Sequence, residues 1–145
     1  MSKKKKIILD TSVIVKWFVN EAESEKANEL LQEVRIGSFS LVIPDIVLVE
    51  IVNALRFTQA VDEKQCQSHI QNLLNLKSEI FFTTEVIGRI VSLVYRSGLA
   101  SYDALYVAAA EDLDILLITA DYKHHRKEIS KHIQWLSTLD IKTLR

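Results

Sequence analysis

Four acidic residues, widely separated along the chain, stand where their carboxylates could meet. Asp10 directly follows the short apolar run Ile-Ile-Leu, and Asp121 follows an apolar run that ends in Ile-Thr-Ala. Asp103 lies close to the start of a predicted helix, and Glu50 interrupts a predicted helix that is otherwise apolar nearly all round. Because ligands bind beyond the carboxyl ends of the strands in open α/β sheets, we expect the four acids to converge at one mouth of a parallel sheet.

Carboxylates gathered in this way are tolerable only with protons or with a cation. Two carboxylates about 5 Å apart repel each other by roughly 3 kcal/mol at an effective dielectric of 20. A set of ligands that offers only oxygen favours magnesium or manganese over zinc. Such a site, with one or two ions, could activate water and neutralise a phosphodiester during an in-line attack.

The stretch Ser101–Asp121 is the clearest of the elements that must position these acids. It reads as a helix followed by a buried strand, with Ser101 as the expected N-cap and Asp103 in the first turn, where the helix dipole favours a carboxylate. Asp114 is expected to end the helix, and Ile115–Ile118 is a continuous apolar run typical of a strand covered on both faces. This unit therefore places one acid at a helix start and another beyond a strand end.

The first acid belongs to a similar junction near the start of the chain. Ile7–Leu9 reads as a short buried strand, Asp10 stands at its end, and the hydroxyls of Thr11 and Ser12 mark the start of a helix. Taken alone, Asp10 and Ser12 would be interpreted as ordinary helix caps.

The predicted helix Asp45–Gln59 carries the remaining acid. Pro44 suits its first position, and its polar interior residues, Glu50, Asn53 and Arg56, are spaced by three and therefore share one stripe. The stripe is either the solvent face or the lining of a polar pocket. The apolar remainder predicts burial on most sides, and a subunit interface is one way to provide it.

The whole chain fits a single domain of residues 1–145. Its 145 residues are 48% hydrophobic and 26% charged, so it has enough apolar residues for one core. Predicted strands and helices alternate throughout, which favours a three-layer α/β/α sandwich around a parallel sheet with right-handed crossovers. The net charge of -1 argues neither for nor against nucleic acid.

The same composition bears on the compartment. Cys66 is the single cysteine, so no disulfide can form within the chain, which fits a reducing cytosol. The run Lys3–Lys6 is followed by only three apolar residues before Asp10, too few for an export signal. No apolar run is long enough to span a bilayer. We therefore expect a cytoplasmic protein without a membrane partner.

Five segments carry a recognisable pattern in a fixed order along the chain: Ile7–Ser12, Val15–Phe18, Pro44–Leu55, Tyr102–Ala110 and Leu117–Asp121. Each segment is degenerate, but the ordered set is fairly specific and spans nearly the whole chain. In these segments the sequence resembles PIN-domain proteins, and in particular the toxin ribonucleases of VapBC-type toxin–antitoxin pairs.

The resemblance implies a metal-dependent endoribonuclease that uses Mg²⁺ or Mn²⁺, with strand order 3-2-1-4-5. It implies that the acidic metal site consists of Asp10, Glu50, Asp103 and Asp121. It places supporting polar groups at Ser12, Asn53 and Thr119. It also implies a homodimer and a small antitoxin partner of the type II class.

A basic cluster directly follows Asp121 and consists of Lys123, His124, His125, Arg126 and Lys127. Such clusters are usually solvated faces, but beside an acidic metal site this one could guide phosphates in. On that interpretation, Lys123, Arg126 and Lys127 are expected to bind RNA.

Three other functions remain open from the residues. A haloacid-dehalogenase-type phosphatase would use Asp10 as nucleophile, but it normally needs a second Asp where this chain has Ser12. A receiver-like signalling domain would need a phosphoacceptor Asp after the middle strand, where Phe81 to Thr83 offers none. A PIN-domain nuclease of RNA processing without an antitoxin is the third. Cleavage of RNA, phosphorylation by acetyl phosphate and an adjacent reading frame for a small DNA-binding protein would discriminate among them.

Overall fold

A parallel sheet of five strands forms the middle layer of the protein. A computed structural model describes residues 4–144. Its strands are β1 (Lys5–Leu9), β2 (Phe39–Pro44), β3 (Glu79–Phe81), β4 (Leu116–Thr119) and β5 (Ile133–Trp135). Their order in the sheet is β3-β2-β1-β4-β5, and every neighbouring pair is parallel. The strand order implied by the resemblance is confirmed.

Six α-helices connect the strands, in the places where the sequence predicts helices. They are α1 (Thr11–Ile14), α2 (Ser24–Arg35), α3 (Val47–Arg56), α4 (Glu63–Leu74), α5 (Ile87–Ser97) and α6 (Ser101–Leu113). The first is short and continues as a 3₁₀ turn, Val15–Trp17. No helix within residues 4–144 combines the length and the apolar character needed to cross a bilayer.

The central strand β1 is the point at which the sheet topology reverses. Ile8 pairs with Val42 of β2 on one side and with Leu117 of β4 on the other. The pairing continues past the strand, because the Asp10 N–H donates to the Ile118 carbonyl over 3.3 Å. In parallel α/β sheets the crevice at such a switch point is where ligands bind, and here it lies between Asp10 and the end of β4.

The strands around this point are buried on both faces, as their apolar runs predict. Ile7, Ile8 and Leu9 of β1 and Leu117 and Ile118 of β4 are fully buried. Helix α6 contacts β2 and β4, and its residues 104–110 are all buried. Three consecutive alanines in that run let the helix backbone come close to the sheet, which fixes the position of the α6 start relative to β4.

Two local expectations are wrong. Ser101 is the first residue of α6, and Ala100 precedes the helix in an extended conformation without a side-chain cap. Pro44 is the last residue of β2 and pairs with Phe81, because the fixed φ of proline also suits an extended chain. Within the single chain, helix α3 leaves apolar side chains exposed, since Val49 and Val52 are 71% and 44% exposed, so the expected burial on most sides would require a subunit interface. A helix that packs along one line can bury only one of its faces.

Candidate active site

Asp10 lies at the centre of the candidate site. It follows β1, serves as the N-cap of α1 and is only 3% exposed. Its Oδ1 accepts hydrogen bonds from the Ser12 N–H over 3.0 Å and from the Ser12 hydroxyl. Its Oδ2 accepts from the Thr119 hydroxyl over 2.6 Å and lies 2.8 Å from Nδ1 of His125. Four polar groups therefore surround one buried carboxylate.

The two hydroxyls that contact Asp10 also join two elements of the fold. Ser12 Oγ accepts the Ala120 N–H over 2.9 Å, and Thr119 Oγ1 accepts the Asp121 N–H over 3.0 Å. The start of α1 is therefore tied to the end of β4 through side chains as well as through the sheet. Two of the three supporting positions expected from the sequence, Ser12 and Thr119, lie against Asp10.

Glu50 reaches the site from α3 and has a different partner. The hydroxyl of Tyr106, on α6, donates to Glu50 Oε1 over 2.7 Å and lies 2.9 Å from Thr11 Oγ1. Partial burial raises the pKa of Glu50, the Tyr106 hydrogen bond opposes this, and the negative charges of Asp10 and Asp103 add to the rise. Glu50 is thus electrostatically coupled to two other acids.

Asp103 lies in the first turn of α6, as predicted, and is partly buried. Burial raises the pKa of its carboxyl group, His125 opposes the rise, and the charges of Asp121 and Asp10 contribute to it. The four acids expected from the sequence are therefore close enough to influence one another. Burial is the main cause of the raised pKa values of Glu50 and Asp103, and repulsion from the neighbouring carboxylates adds to it.

Asp121 follows β4 by two residues and is partly exposed. Its Oδ1 accepts the His124 N–H over 3.2 Å, and Nδ1 of the same histidine lies 2.9 Å from Oδ2. The local turn therefore supplies this carboxylate with its own partner. Asn53 is different, because it lies exposed on α3 and no hydrogen bond within residues 4–144 joins it to the acids.

His125 is the part of the site that the sequence analysis did not single out. It is 1% exposed, its Nδ1 faces Asp10, and its Nε2 lies 3.2 Å from the main-chain oxygen of Asp103. Burial lowers the pKa of His125, but the hydrogen bond and charge of Asp10, together with Asp103, outweigh this and raise it overall. The sequence places it in a basic run, whereas the turn that joins its N–H to the Asp121 carbonyl directs the ring inward.

The rest of the basic cluster is exposed, and much of it is already paired. Arg126 Nε lies 3.2 Å from Glu128 Oε1. Lys127 Nζ lies 4.9 Å from the centre of the Trp135 ring. Lys123 has no side-chain partner within the described part of the chain, so of the three lysines and arginines it is the least engaged.

The donor set suits a hard divalent cation, but its side chains are not already arranged as a closed ligand shell. Carboxylate oxygens are the ligands that Mg²⁺ and Mn²⁺ prefer, and mutual repulsion among the acids would be relieved by a cation. Within residues 4–144, however, no three His, Cys, Asp or Glu side chains are grouped so that they could hold one ion together. The chemistry of the residues therefore fits a divalent metal ion, whereas their positions among the described residues do not form a ligand group.

Open space lies beside the acids. A cavity of about 440 Å³ reaches Asp121 and the start of α1, and the larger cavity of about 610 Å³ lies elsewhere, between α3 and α4. The lining of the smaller cavity is Thr11, Ser12, Val15, Lys16, Glu21, Ala54, Ala120 and Asp121. The cavity between α3 and α4 is the larger of the two, but none of the four acids lines it, whereas Asp121 lines the smaller cavity. The smaller cavity is therefore the candidate binding space.

A parallel sheet with Asp10 at its topological switch point, and with Glu50 and Asp103 near enough to feel its charge, defines an α/β protein with a polar crevice. The chain belongs to the PIN-domain family, because the PIN domain model matches residues 7–129. This family membership favours the nuclease interpretation over the phosphatase and receiver alternatives. No curated protein is significantly similar to the chain by sequence.

Solved structures with the same fold come from several organisms. A toxin–antitoxin complex from Klebsiella pneumoniae contains a chain that is 17% identical, with TM-score 0.66, and the match covers 88% of this chain and 95% of that one. VapBC2 from Rickettsia felis, bound to a DNA fragment from its promoter, gives 20% identity, TM-score 0.66 and coverage of 90% and 98%. VapC20 from Mycobacterium tuberculosis, a toxin that cleaves the sarcin-ricin loop, is 14% identical with TM-score 0.65, and the match covers 86% of this chain and 93% of that one. At these identities the similarity establishes the fold.

Proposed function

We propose that the chain is a metal-dependent endoribonuclease and the toxin of a type II toxin–antitoxin pair. The observation that carries the proposal is that Asp10, Glu50, Asp103 and Asp121, from four separate segments, lie close enough at one end of the sheet for their charges to act on one another. The coupling of their charges supports a shared site. Membership of the PIN-domain family and the fold shared with toxin–antitoxin complexes support the assignment.

The same four carboxylates would hold Mg²⁺ or Mn²⁺. A divalent ion bound there supplies a Lewis acid that activates water and neutralises a phosphodiester. The chain's own groups orient the ligands: Ser12 and Thr119 hold Asp10, and Tyr106 holds Glu50. These partners belong to buried elements, so they fix the orientation of the Asp10 and Glu50 carboxylates within the fold.

RNA is the proposed substrate, and the basic cluster is its proposed point of contact. Lys123, Arg126 and Lys127 are exposed and follow Asp121 directly. Lysine and arginine contacts to phosphates position a nucleic acid without reading its sequence. Lys123 is expected to contribute most, since the other two side chains already have neighbours within the protein.

Two protein partners complete the proposal: a small antitoxin and a second copy of this chain in a cytoplasmic homodimer. Helices α3 and α5 leave large apolar side chains exposed, and exposed apolar patches mark interaction surfaces. The exposed residues are Val49, Val52, Phe57, Ile87, Val91 and Tyr95. A short adjacent reading frame encoding a small DNA-binding protein would support the antitoxin, and its absence would favour a PIN nuclease of RNA processing.

Asp103→Asn tests the proposed chemistry. Asparagine keeps the shape of the side chain but removes the charge that would help to hold the cation. We expect wild-type protein to cleave total RNA when Mn²⁺ is present and not in chelator, and Asp103→Asn to lose at least a hundredfold in single-turnover rate, about 2.7 kcal/mol. Asp112→Asn is a matched control, because Asp112 lies exposed on the same helix.

Comparing Asp103→Asn and Asp112→Asn with the wild type distinguishes a loss of catalysis from a loss of folding. Far-ultraviolet circular dichroism of the two variants should match that of the wild type. Equal cleavage by Asp103→Asn and wild type at saturating Mg²⁺ would refute the proposed role of Asp103. Cleavage that persists in chelator would refute the metal dependence.

A further inference from the structure

Every acceptor position of the Asp10 carboxylate is engaged inside the protein. Ser12 supplies two donors to Oδ1, and Thr119 and His125 lie at Oδ2 over 2.6 and 2.8 Å. An ionised carboxylate offers about four lone-pair positions. A cation can therefore use Asp10 only if one of these four neighbours withdraws.

Three of the four neighbours are held by the main chain. The Ser12 N–H is itself part of the first turn of α1. The Ser12 and Thr119 hydroxyls accept main-chain N–H groups of Ala120 and Asp121, so moving either one would leave a donor unpaired. Withdrawal of any of these three groups would disturb the junction between α1 and β4.

His125 is the neighbour that can leave without taking the acceptor from a main-chain N–H, since its ring gives up only the contact between Nε2 and the Asp103 main-chain oxygen at 3.2 Å. Its backbone is held separately, since its N–H donates to the Asp121 carbonyl and its carbonyl accepts from Trp135 Nε1 over 2.9 Å. The contact with Asp10 is made only by the imidazole ring. Rotation of the side chain would free Asp10 Oδ2 and leave the turn intact.

The ring also spans the two acids that a shared ion would have to approach. Its Nδ1 lies 2.8 Å from Asp10 Oδ2, and its Nε2 lies 3.9 Å from Asp103 Oδ1. Within the described residues no three ligating side chains are grouped around one point. An imidazole between Asp10 and Asp103 is a direct physical reason for that arrangement.

We propose that His125 competes with the divalent cation for Asp10, so that the ion binds only when the imidazole withdraws from Oδ2. The inference rests on the proposed function, because it takes the four acids to be the site of the ion. His125 acts through Asp10 and is a positioning residue. The apparent affinity for the ion is then the intrinsic affinity multiplied by the fraction of time that Asp10 is free of the ring.

The test compares Mn²⁺ binding to wild type, His125→Phe and His125→Asn by calorimetry at one fixed pH. Phenylalanine has a ring of similar size, but no hydrogen bond holds that ring at Asp10 Oδ2, so it can turn away more readily and we expect Mn²⁺ to bind about tenfold more tightly, equivalent to about 1.4 kcal/mol. The amide nitrogen of asparagine can replace Nδ1 as a donor, so His125→Asn should bind like the wild type. Unchanged or weaker binding by a folded His125→Phe would overturn the inference.

A measurement on the wild type keeps the inference testable if the phenylalanine variant does not fold. Imidazole ¹H–¹⁵N spectra during titration with Mg²⁺ should show loss of the His125 Nδ1 hydrogen bond as the ion loads. His69 and His132 provide internal references, because neither contacts Asp10 or Asp103. An unaltered His125 hydrogen bond at saturating Mg²⁺ would overturn the inference.

Asp103→Asn separates failure of this inference from failure of the proposed function. If Mn²⁺ binds neither the wild type nor His125→Phe, both are wrong. If Mn²⁺ binds the wild type, Asp103→Asn weakens that binding and His125→Phe does not strengthen it, only the role of His125 is wrong.

Discussion

Removing one negative charge from the acidic cluster should stabilise the metal-free protein. Burial and neighbouring carboxylates raise the pKa values of Glu50 and Asp103. A raised pKa means that the ionised carboxyl group is less favourable in the folded protein than in the unfolded chain. Asp103→Asn should therefore relieve repulsion against Asp10 and Asp121 at neutral pH, at the cost of its attraction to His125.

The net effect of Asp103→Asn on the free energy of unfolding should be modest. A close carboxylate pair repels by roughly 3 kcal/mol at a dielectric of 20, but Asp103 is partly exposed and His125 already offsets part of the repulsion. After this discount for solvent screening we expect about 1 kcal/mol. For a chain of this length, that corresponds to a rise in Tm of about 2–4 °C.

The dependence on pH has a definite sign. For Glu50 and Asp103, whose folded pKa values are raised, the native state holds more protons, and stability falls as pH rises from about 4 through the folded values. His125 also has a raised pKa, so its stabilisation is present below about 6.5 and is lost as pH rises through its folded value. Both effects make the metal-free wild type less stable at higher pH.

Thermal unfolding between about pH 5 and 8, in chelator and in Mg²⁺, measures both effects. A divalent ion that binds only the folded state should add about 2.7 kcal/mol at a hundredfold excess over its Kd, and the gain should be smaller in Asp103→Asn. Asp112→Asn, on the exposed face of α6, should behave like the wild type. If the metal-free wild type is no less stable than Asp103→Asn, and Mg²⁺ shifts neither, the four acids do not share a site.

Two further substitutions test the surroundings of the cluster. Tyr106→Phe removes the hydrogen bond to Glu50, and we expect a loss of about 1–2 kcal/mol in the free energy of unfolding by urea; an unchanged midpoint would show that the bond contributes nothing net. Lys123→Ala combined with Arg126→Ala should weaken RNA binding and reduce the slope of log affinity against log salt by about 1–2. Lys64→Ala, an exposed change on α4, is the control, and an intact affinity with slower chemistry would contradict a binding role.

Much of the fold follows from periodicity and from residues that end elements. The apolar run before Asp121 predicts strand β4, which the structure confirms. Asp114 ends α6 with a φ of 52°, a left-handed conformation that Asp tolerates. Gly98 ends α5 in the same region, with a φ of 74°. Such residues act through their own backbone conformation, so their effect is visible in the sequence without knowledge of the tertiary structure.

The partners of the acids could not be predicted in the same way. Tyr106 reads as one more large residue of a buried helix, and its hydroxyl meets Glu50, 56 positions earlier, only because α3 and α6 lie side by side. His125 stands in a loop with no periodicity, next to residues of similar charge. Its inward direction depends on a turn that closes on Asp121, and loop conformations of this kind carry little local signal.

The distribution of donors explains why Asp103 is the most informative acid to change. Asp10 has four polar neighbours, Glu50 has Tyr106, and Asp121 has His124. Within residues 4–144 the Asp103 carboxylate accepts no hydrogen bond, and its nearest cationic nitrogen, at 3.9 Å, belongs to the ring that also contacts Asp10. Its charge is therefore the least compensated of the four. A bound cation should therefore relieve the charge of Asp103 more than that of the other acids. Asp103→Asn should stabilise the metal-free fold and weaken the binding of the ion.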